Sequence, residues 1–225
     1  MKKVILGLVA LFAFQAGYSQ SSKSTDFLRW KMRLRVVGVV PDEKSDVTTI
    51  GGKVDVSNEI IPELDFTYFF TKNIATELIL GTSKHEVKTI GSDISAVGGP
   101  TNYNVDLGTV RLLPPTLTVQ YHFNQEKDNV FKPYLGAGVN YTIFYDIKAG
   151  NIVKDIEYKN SLGYAFQAGF DLMVTDKFFI NADIKKMFLK TDVTVDASNL
   201  APNLSIPAKV DLNPLVLGMG VGMKF

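Results

Sequence analysis

The sequence predicts an all-β protein: an eight-stranded antiparallel up-and-down transmembrane β-barrel. Eight segments alternate with a period of two residues, and one of the two faces is apolar along nearly every segment. Three of the connections between them are short and four are long, in strict alternation. Barrels of the bacterial outer membrane combine an even number of strands with short periplasmic turns, long outer loops and an apolar outer surface. A soluble β-sandwich is the alternative, but it does not require an apolar outer row on every strand.

The composition fits such a barrel and excludes several other classes of protein. The chain has 225 residues, enough for one domain, and its net charge of +1 gives no electrostatic reason to expect a nucleic-acid partner. Apolar residues make up 46% of the chain and charged residues 21%, so it is far less apolar than a helical membrane protein. Cysteine is absent, and the two histidines, His85 and His122, fall on different predicted strands. We therefore predict no disulfide, no metal site and no cofactor.

The first residues have the features of an export signal. Two lysines precede an apolar run at 4–14, which is too short to cross a bilayer as a helix. Gly17 and Ser19 are the small residues expected just before a cleavage site. We predict a signal peptide at 1–19 and an outer-membrane β-barrel at 20–225, with both ends of the barrel in the periplasm.

The first four strands are predicted at 30–40, 60–70, 74–87 and 112–123. In the first strand, apolar residues alternate with three cations until Pro41 ends it. The second ends in aromatic residues that suit a membrane interface, and Pro62 lies near its loop end, where a missing hydrogen-bond donor is tolerated. The third and fourth continue the alternation. We predict tight turns at 71–73 and 124–129, and long loops at 41–58 and 88–110.

The last four strands are predicted at 131–145, 162–174, 178–193 and 215–225. A tight turn is predicted at 175–177, and long loops at 146–161 and 196–207. The final strand has an apolar outer row that ends on Phe225, whereas its inner row contains Gly218, Gly220 and Gly222. A row of glycines leaves space for the side chains of neighbouring strands, so we expect a crowded interior beside this strand.

Because successive side chains point to opposite faces, the pattern also predicts which residues line the lumen. Ten inward charges, five of each sign, concentrate in the periplasmic half: Lys31, Arg33, Arg35, Glu63, Asp65, Glu77, Asp171, Asp183, Lys185 and Lys224. Charges in a narrow interior need partners, so we predict a self-neutralising network. The upper half is apolar: Val37, Val39, Ile61, Ile79, Phe144, Met187, Leu189 and Val216. These residues alone leave open whether the upper half is ordinary packing or a ligand-accepting pocket.

Ser83, His85 and Glu86 form the one cluster that combines a nucleophile with a base and a carboxylate. Such a trio would be able to hydrolyse a lipid ester. Such a trio is more often a solvated strand end, and we assign no catalytic residue.

Several stretches resemble the outer membrane protein W (OmpW) family. They are 35–43 (RVVGVVPDE), 61–71 (IPELDFTYFFT), 112–123 (LLPPTLTVQYHF), 132–141 (KPYLGAGVNY) and 218–225 (GMGVGMKF). The resemblance covers nearly the whole mature chain, although 88–109 and 146–161 match poorly. It implies an eight-stranded outer-membrane barrel with a hydrophobic lumen, of a kind thought to pass small hydrophobic molecules, with exit sideways through the wall.

The leading functional hypothesis is therefore a passive barrel, not an enzyme, that binds or conducts small hydrophobic solutes. Its expected partners are outer-membrane lipid, the solutes and the barrel-assembly machinery. Two alternatives stay open: a lipid-modifying barrel enzyme, and a structural or adhesive barrel that acts through its outer loops.

Overall fold

The computed structural model describes residues 27–47, 50–198, 202 and 204–225. The predicted signal peptide at 1–19 lies outside the described residues. The described chain contains one short 3₁₀ turn, at Ser95–Val97. Its strands are β1 (Trp30–Val40), β2 (Lys44–Val47), β3 (Lys53–Val56), β4 (Glu59–Phe69), β5 (Ile74–Gly81), β6 (Ser83–Ser92), β7 (Tyr103–Leu113), β8 (Thr116–His122), β9 (Phe131–Ala149), β10 (Asp155–Tyr158), β11 (Ser161–Met173), β12 (Phe178–Phe188), β13 (Lys190–Asp196), β14 (Ser205–Asp211) and β15 (Leu215–Lys224).

Eight strands close into an antiparallel barrel, as the sequence predicted. Their order around the barrel is β1, β4, β5, β8, β9, β11, β12 and β15, and β15 pairs again with β1. The closing ladder runs from Lys31 opposite Lys224 to Val40 opposite Leu215. Closure gives every barrel strand a paired neighbour on both sides, as expected of a β-structure that crosses a bilayer.

The two ends of the barrel differ. At the turn end, short connections at 70–73, 123–130 and 174–177 join neighbouring strands, which confirms the three predicted tight turns. The first and last strands also meet there, since Trp30 and Phe225 exchange backbone hydrogen bonds of 3.0 and 2.9 Å. At the loop end, the chain continues past the barrel into further strands.

The prediction of long loops at that end was wrong. The segments 41–58, 88–110 and 146–161 contain strands, and β14 begins inside the segment 196–207. β7, β6 and β3 form a sheet on the extended β9, while β10, β13, β14 and β2 form a second, four-stranded sheet. Apolar residues pack between these sheets, so the loop end encloses a hydrophobic core of its own.

Three strands that were predicted to be continuous are interrupted. The third divides at Thr82 into β5 and β6, and the seventh divides at Leu189 into β12 and β13. The fourth begins earlier than predicted, at Tyr103, and breaks at Pro114 and Pro115. Proline has no N–H to donate to a ladder, so two in succession end the pairing at that level.

The outer surface of the barrel is apolar. Outward-facing residues such as Leu34, Val119 and Phe166 are more than half exposed, as expected for side chains that contact lipid acyl chains. Aromatic pairs such as Trp30 with Tyr68 reinforce this surface, with a ring separation of 4.9 Å. Among the described residues, no helix is long and apolar enough to cross a membrane.

Candidate functional site

The lumen has two parts of opposite character. Toward the turn end, nine of the ten predicted inward charges lie fully buried and form what we call the ion-paired floor: Lys31, Arg33, Arg35, Glu63, Asp65, Glu77, Asp171, Asp183 and Lys185. Toward the loop end lies an apolar cavity, which we call the chamber. Because β1 runs through both parts, a single strand changes from charged to apolar inward residues along its length.

Arg33 is the central cation of the floor. Its Nε donates to Asp65 at 2.6 Å, its Nη1 donates to the Tyr134 hydroxyl at 3.0 Å, and it also forms an ion pair with Glu77. Two carboxylates and a hydroxyl thus surround a guanidinium that has no solvent exposure. A buried charge is stable only with such partners, because its removal from water costs several kcal/mol.

A second layer of ion pairs lies above Arg33 and separates it from the chamber. Arg35 contacts Glu63 and Asp65 at 2.8 and 2.9 Å through Nη2, and Asp183 at 3.3 Å through Nη1. The ammonium of Lys185 lies 2.6 Å from Glu63. Glu63 also lines the chamber, so this carboxylate marks the boundary between the two parts of the lumen.

The lowest layer of the floor contains Lys31, which pairs with Asp171 at 2.5 Å. Its ammonium also lies over the rings of Phe69 and Phe179, at 4.8 and 5.3 Å from their centroids. The expectation that Lys224 would join the network was wrong, because it makes no ion pair with any described residue. It is only partly buried, at the end of β15.

Neutral polar residues complete the floor, although they were not part of the predicted charge network. The amide of Gln167 donates to Glu77 at 2.9 Å and to Asp183 at 2.8 Å, and that of Gln120 donates to Glu77 at 2.7 Å. Their inward parity on β8 and β11 was visible in the sequence. Their role was not, because it depends on distances across the lumen.

The glycines of β15 allow these long side chains to fit. A Cβ on Gly220 would lie 2.1 Å from the Leu34 carbonyl oxygen and 2.7 Å from the Cα of Arg35. A Cβ on Gly222 would lie 2.8 Å from the Cγ of Arg33. Glycine therefore permits the close approach of β1 to β15 beside the two arginines.

The chamber has a volume of about 190 Å³. The eight apolar residues that the sequence assigned to the upper lumen all line it: Val37, Val39, Ile61, Ile79, Phe144, Met187, Leu189 and Val216. Phe144 stacks on Tyr158 with 5.3 Å between ring centroids. Burial raises the pKa of Tyr158 to about 12, so its hydroxyl stays neutral.

The upper wall of the chamber was missed by the sequence analysis. It comes from segments that were predicted to be loops or left unassigned, and its residues include Val47, Val54, Val105, Leu107, Val153, Ile206 and Val210. A signal was present, because Val105 and Leu107 alternate with polar neighbours, as do Ile206 and Val210. Because these runs are short and contain or adjoin glycine and proline, their period of two was not recognised as a strand pattern.

Ser83 and His85 also line the chamber, and both are buried. The Nε2 atom of His85 lies 2.9 Å from the Ser83 hydroxyl, and its Nδ1 lies 2.7 Å from the backbone carbonyl oxygen of Ser57. Glu86 is exposed on the outer face, so it does not join them. The histidine is oriented by a carbonyl group in place of a carboxylate.

A closed eight-stranded barrel with an apolar outer surface, a polar floor and an apolar chamber defines a transmembrane barrel of the outer-membrane class. The model of the OmpW family matches residues 27–225. This chain belongs to the OmpW family.

Similar proteins come from several bacteria. The chain is 43% identical over 197 residues to the uncharacterized outer-membrane protein y4mB of Sinorhizobium fredii, covering 87% of this chain and 80% of that protein. It is 32% identical over 234 residues to outer membrane protein W of Vibrio cholerae, covering 100% of both. The crystal structure of OprG from Pseudomonas aeruginosa superposes with a TM-score of 0.78 at 26% identity, over 88% of this chain and 96% of that chain.

The protein is therefore located in the outer membrane, surrounded by lipid. Short turns in such barrels face the periplasm and long connections face outward. The turn end and its ion-paired floor are thus periplasmic, and the chamber lies on the outer side of the floor.

Proposed function

We propose that this protein is a passive barrel that binds small hydrophobic molecules in the chamber and conducts them across the outer membrane. The observation that supports it most directly is the apolar cavity of about 190 Å³ above the ion-paired floor. In another protein, an engineered apolar cavity of about 150 Å³ binds benzene. The chamber therefore suits solutes of about the size of a small aromatic compound or a short alkyl chain.

The floor favours an exit through the wall over straight passage to the periplasm. Arg33, Arg35 and Lys185 have no exposed side-chain surface and fill the barrel below the chamber. A hydrophobic solute would have to separate these ion pairs without offering them new partners, which costs several kcal/mol per ion. Lateral release into the membrane needs no such separation.

Gaps in the strand ladders provide a site for that release. β5 pairs with β8 as far as Ile79 opposite Thr116, and pairing resumes between β6 and β7 at Ser83 opposite Leu112. No ladder pair joins 80–82 to 113–115 between these positions. Fewer backbone hydrogen bonds need to break where the wall is already unpaired, so this seam beside the chamber is the proposed exit.

The two ends of the chain serve export and assembly. Residues 1–19 act as the export signal, and the mature chain begins at residue 20. The C-terminal segment, β15 followed by Phe225, is the part that the barrel-assembly machinery recognises. The chamber acts on its solutes by binding alone, without a chemical step.

A permeation assay tests this function. Purified protein is inserted into vesicles whose outer leaflet contains lipopolysaccharide, and the entry of naphthalene is followed by fluorescence. Ile79→Lys places an ammonium on the wall of the chamber, and we expect uptake to fall at least about tenfold, since an apolar solute cannot solvate that charge.

Two variants serve as controls. Ile79→Leu keeps the chamber apolar, and Thr194→Lys adds a lysine on the exposed outer face of β13. Both should transport at the rate of the unchanged protein. Equal uptake by Ile79→Lys and its controls, or no uptake above empty vesicles by any of them, would contradict the proposed function.

A further inference from the structure

Two polar side chains, Ser83 and His85, form a hydrogen bond with each other on the wall of the apolar chamber. The chamber hydroxyls of Thr142 and Thr191 donate to other protein groups, the Asn140 side chain and the Lys159 carbonyl, both at 2.7 Å. The Ser83 hydroxyl likewise has a protein partner, the Nε2 atom of His85 at 2.9 Å. The pair lies just above Ile79, at the level of the proposed exit.

The hydrogen bonds fix the tautomer of His85. A backbone carbonyl oxygen can only accept, so the Nδ1 atom of His85 carries the proton that Ser57 receives. In the neutral ring the Nε2 atom is then an acceptor, and it takes the proton of the Ser83 hydroxyl. The Ser83 oxygen is left with its lone pairs and without a proton to donate.

His85 lies outside the membrane-spanning part of the wall, since its neighbours on β6, Lys84 and Glu86, are exposed on the outer face. Burial lowers the pKa of His85 below its usual 6.5, against the opposing effects of the Ser57 carbonyl and Glu59. The ring is therefore neutral at physiological pH, which is the state that accepts the serine proton.

We propose that Ser83, held by His85, is a hydrogen-bond acceptor site that selects hydrophobic ligands carrying an O–H or N–H donor. A ligand such as an alcohol would donate to the Ser83 oxygen while its hydrocarbon part fills the chamber. Hydrocarbons and ethers of the same size gain nothing from this contact. The inference names a substrate class for the chamber and rests on the proposed function.

Two isomers of equal volume test the site. n-Octanol has a hydroxyl donor, whereas heptyl methyl ether has an oxygen of the same type without a proton. Equilibrium dialysis against the full mature chain in lipid nanodiscs, with empty nanodiscs as the blank, measures the binding of each. We expect the alcohol to bind about fivefold more tightly, the ratio that corresponds to one net hydrogen bond.

Three variants separate the role of the pair from general packing. Ser83→Ala should bring the ratio to about one without weakening the ether. His85→Phe should also lower the ratio toward one, because the freed Ser83 hydroxyl can then donate to the ether oxygen. Thr194→Val removes a hydroxyl on the exposed outer face of β13, away from the chamber, and it should keep the full preference. Heat-dependent mobility on gels verifies that each variant is folded.

The outcomes distinguish this inference from the proposed function. If both isomers bind the unchanged protein equally, or if Ser83→Ala keeps the preference, the acceptor site is refuted while the hydrophobic chamber stands. If neither isomer binds above the blank, both proposals fail.

Discussion

At the scale of single residues, Arg33 is a buried charge that is held by several partners from different strands. Arg33 on β1 contacts Asp65 on β4, Glu77 on β5 and Tyr134 on β9. The Coulomb attraction and the hydrogen bonds together offset the loss of hydration, which no single contact would do. Removing one member therefore takes away part of the compensation that the others need in a space without solvent exposure.

Arg33→Ala should lower the free energy of unfolding by about 3–5 kcal/mol, the cost of breaking a buried ion pair from one side. Lys88→Ala is the matched control, since Lys88 pairs with Asp55 at 3.2 Å on the exposed surface. Its removal should cost less than about 1 kcal/mol. Urea unfolding in lipid vesicles, followed by the fluorescence of Trp30, the single tryptophan, measures both. Equal losses for the two variants would show that the floor is not a cooperative network.

At the scale of elements, strand packing depends on the contrast between the two faces of β15. Its outer face presents Leu217, Met219 and Val221 to lipid. Its inner face carries glycine where it packs against the arginines of β1. The same alternation that places the strand in the wall thus also sets how closely its neighbours approach.

Gly220→Ala should destabilise the barrel strongly, because the new methyl group would lie 2.1 Å from the Leu34 carbonyl oxygen. Gly38→Ala on the adjacent β1 tests the same substitution without the clash, since its nearest neighbour is 4.0 Å away. We expect the folded fraction after refolding into vesicles to fall for the first variant and to stay unchanged for the second. A similar yield for both would mean that β1 and β15 can separate without loss.

The strands at the loop end make a second prediction at this scale. β13 and β14 pair continuously from Lys190 opposite Asp211 to Asp196 opposite Ser205. Their amides should therefore exchange with solvent more slowly than those of the tight turn at 124–129, on the order of tenfold or more. Hydrogen exchange followed by mass spectrometry resolves the two segments. Fast exchange throughout 205–211 would indicate that this region is a loop after all.

At the scale of the whole molecule, closure of the barrel joins the two ends of the chain. Val36 on β1 lies opposite Met219 on β15, and both side chains face lipid. Facing residues in an antiparallel pair are close enough for a disulfide, and the chain has no cysteine that would compete.

The double variant Val36→Cys with Met219→Cys should therefore form an internal disulfide on oxidation, seen as a shift in gel mobility that reduction reverses. Val36→Cys with Leu117→Cys is the control, because β8 is separated from β1 by two strands. It should remain reduced. Cross-linking of the control pair, or none in the test pair, would be incompatible with a closed barrel in this order.

The sequence by itself determined the barrel and the contents of its lumen. A strand exposes alternate residues to opposite faces, so apolar rows identified the lipid surface, and the remaining rows identified both the charged floor and the first residues of the chamber. The three tight turns followed from the same pattern, since each interrupts it with a few polar residues. Local information suffices for these features, because they depend on neighbours along the chain.

Only the tertiary structure decided the partners across the lumen and the shape of the loop end. Gln167 on β11 reaches Glu77, which is 90 positions away in sequence, whereas Lys224 makes no ion pair with any described residue although its parity is correct. The two sheets above the barrel depend on pairings between short segments far apart in the chain, such as β2 with β14. Parity gives the direction of a side chain, whereas its depth and its distance to a partner depend on register and closure, which are properties of the whole fold.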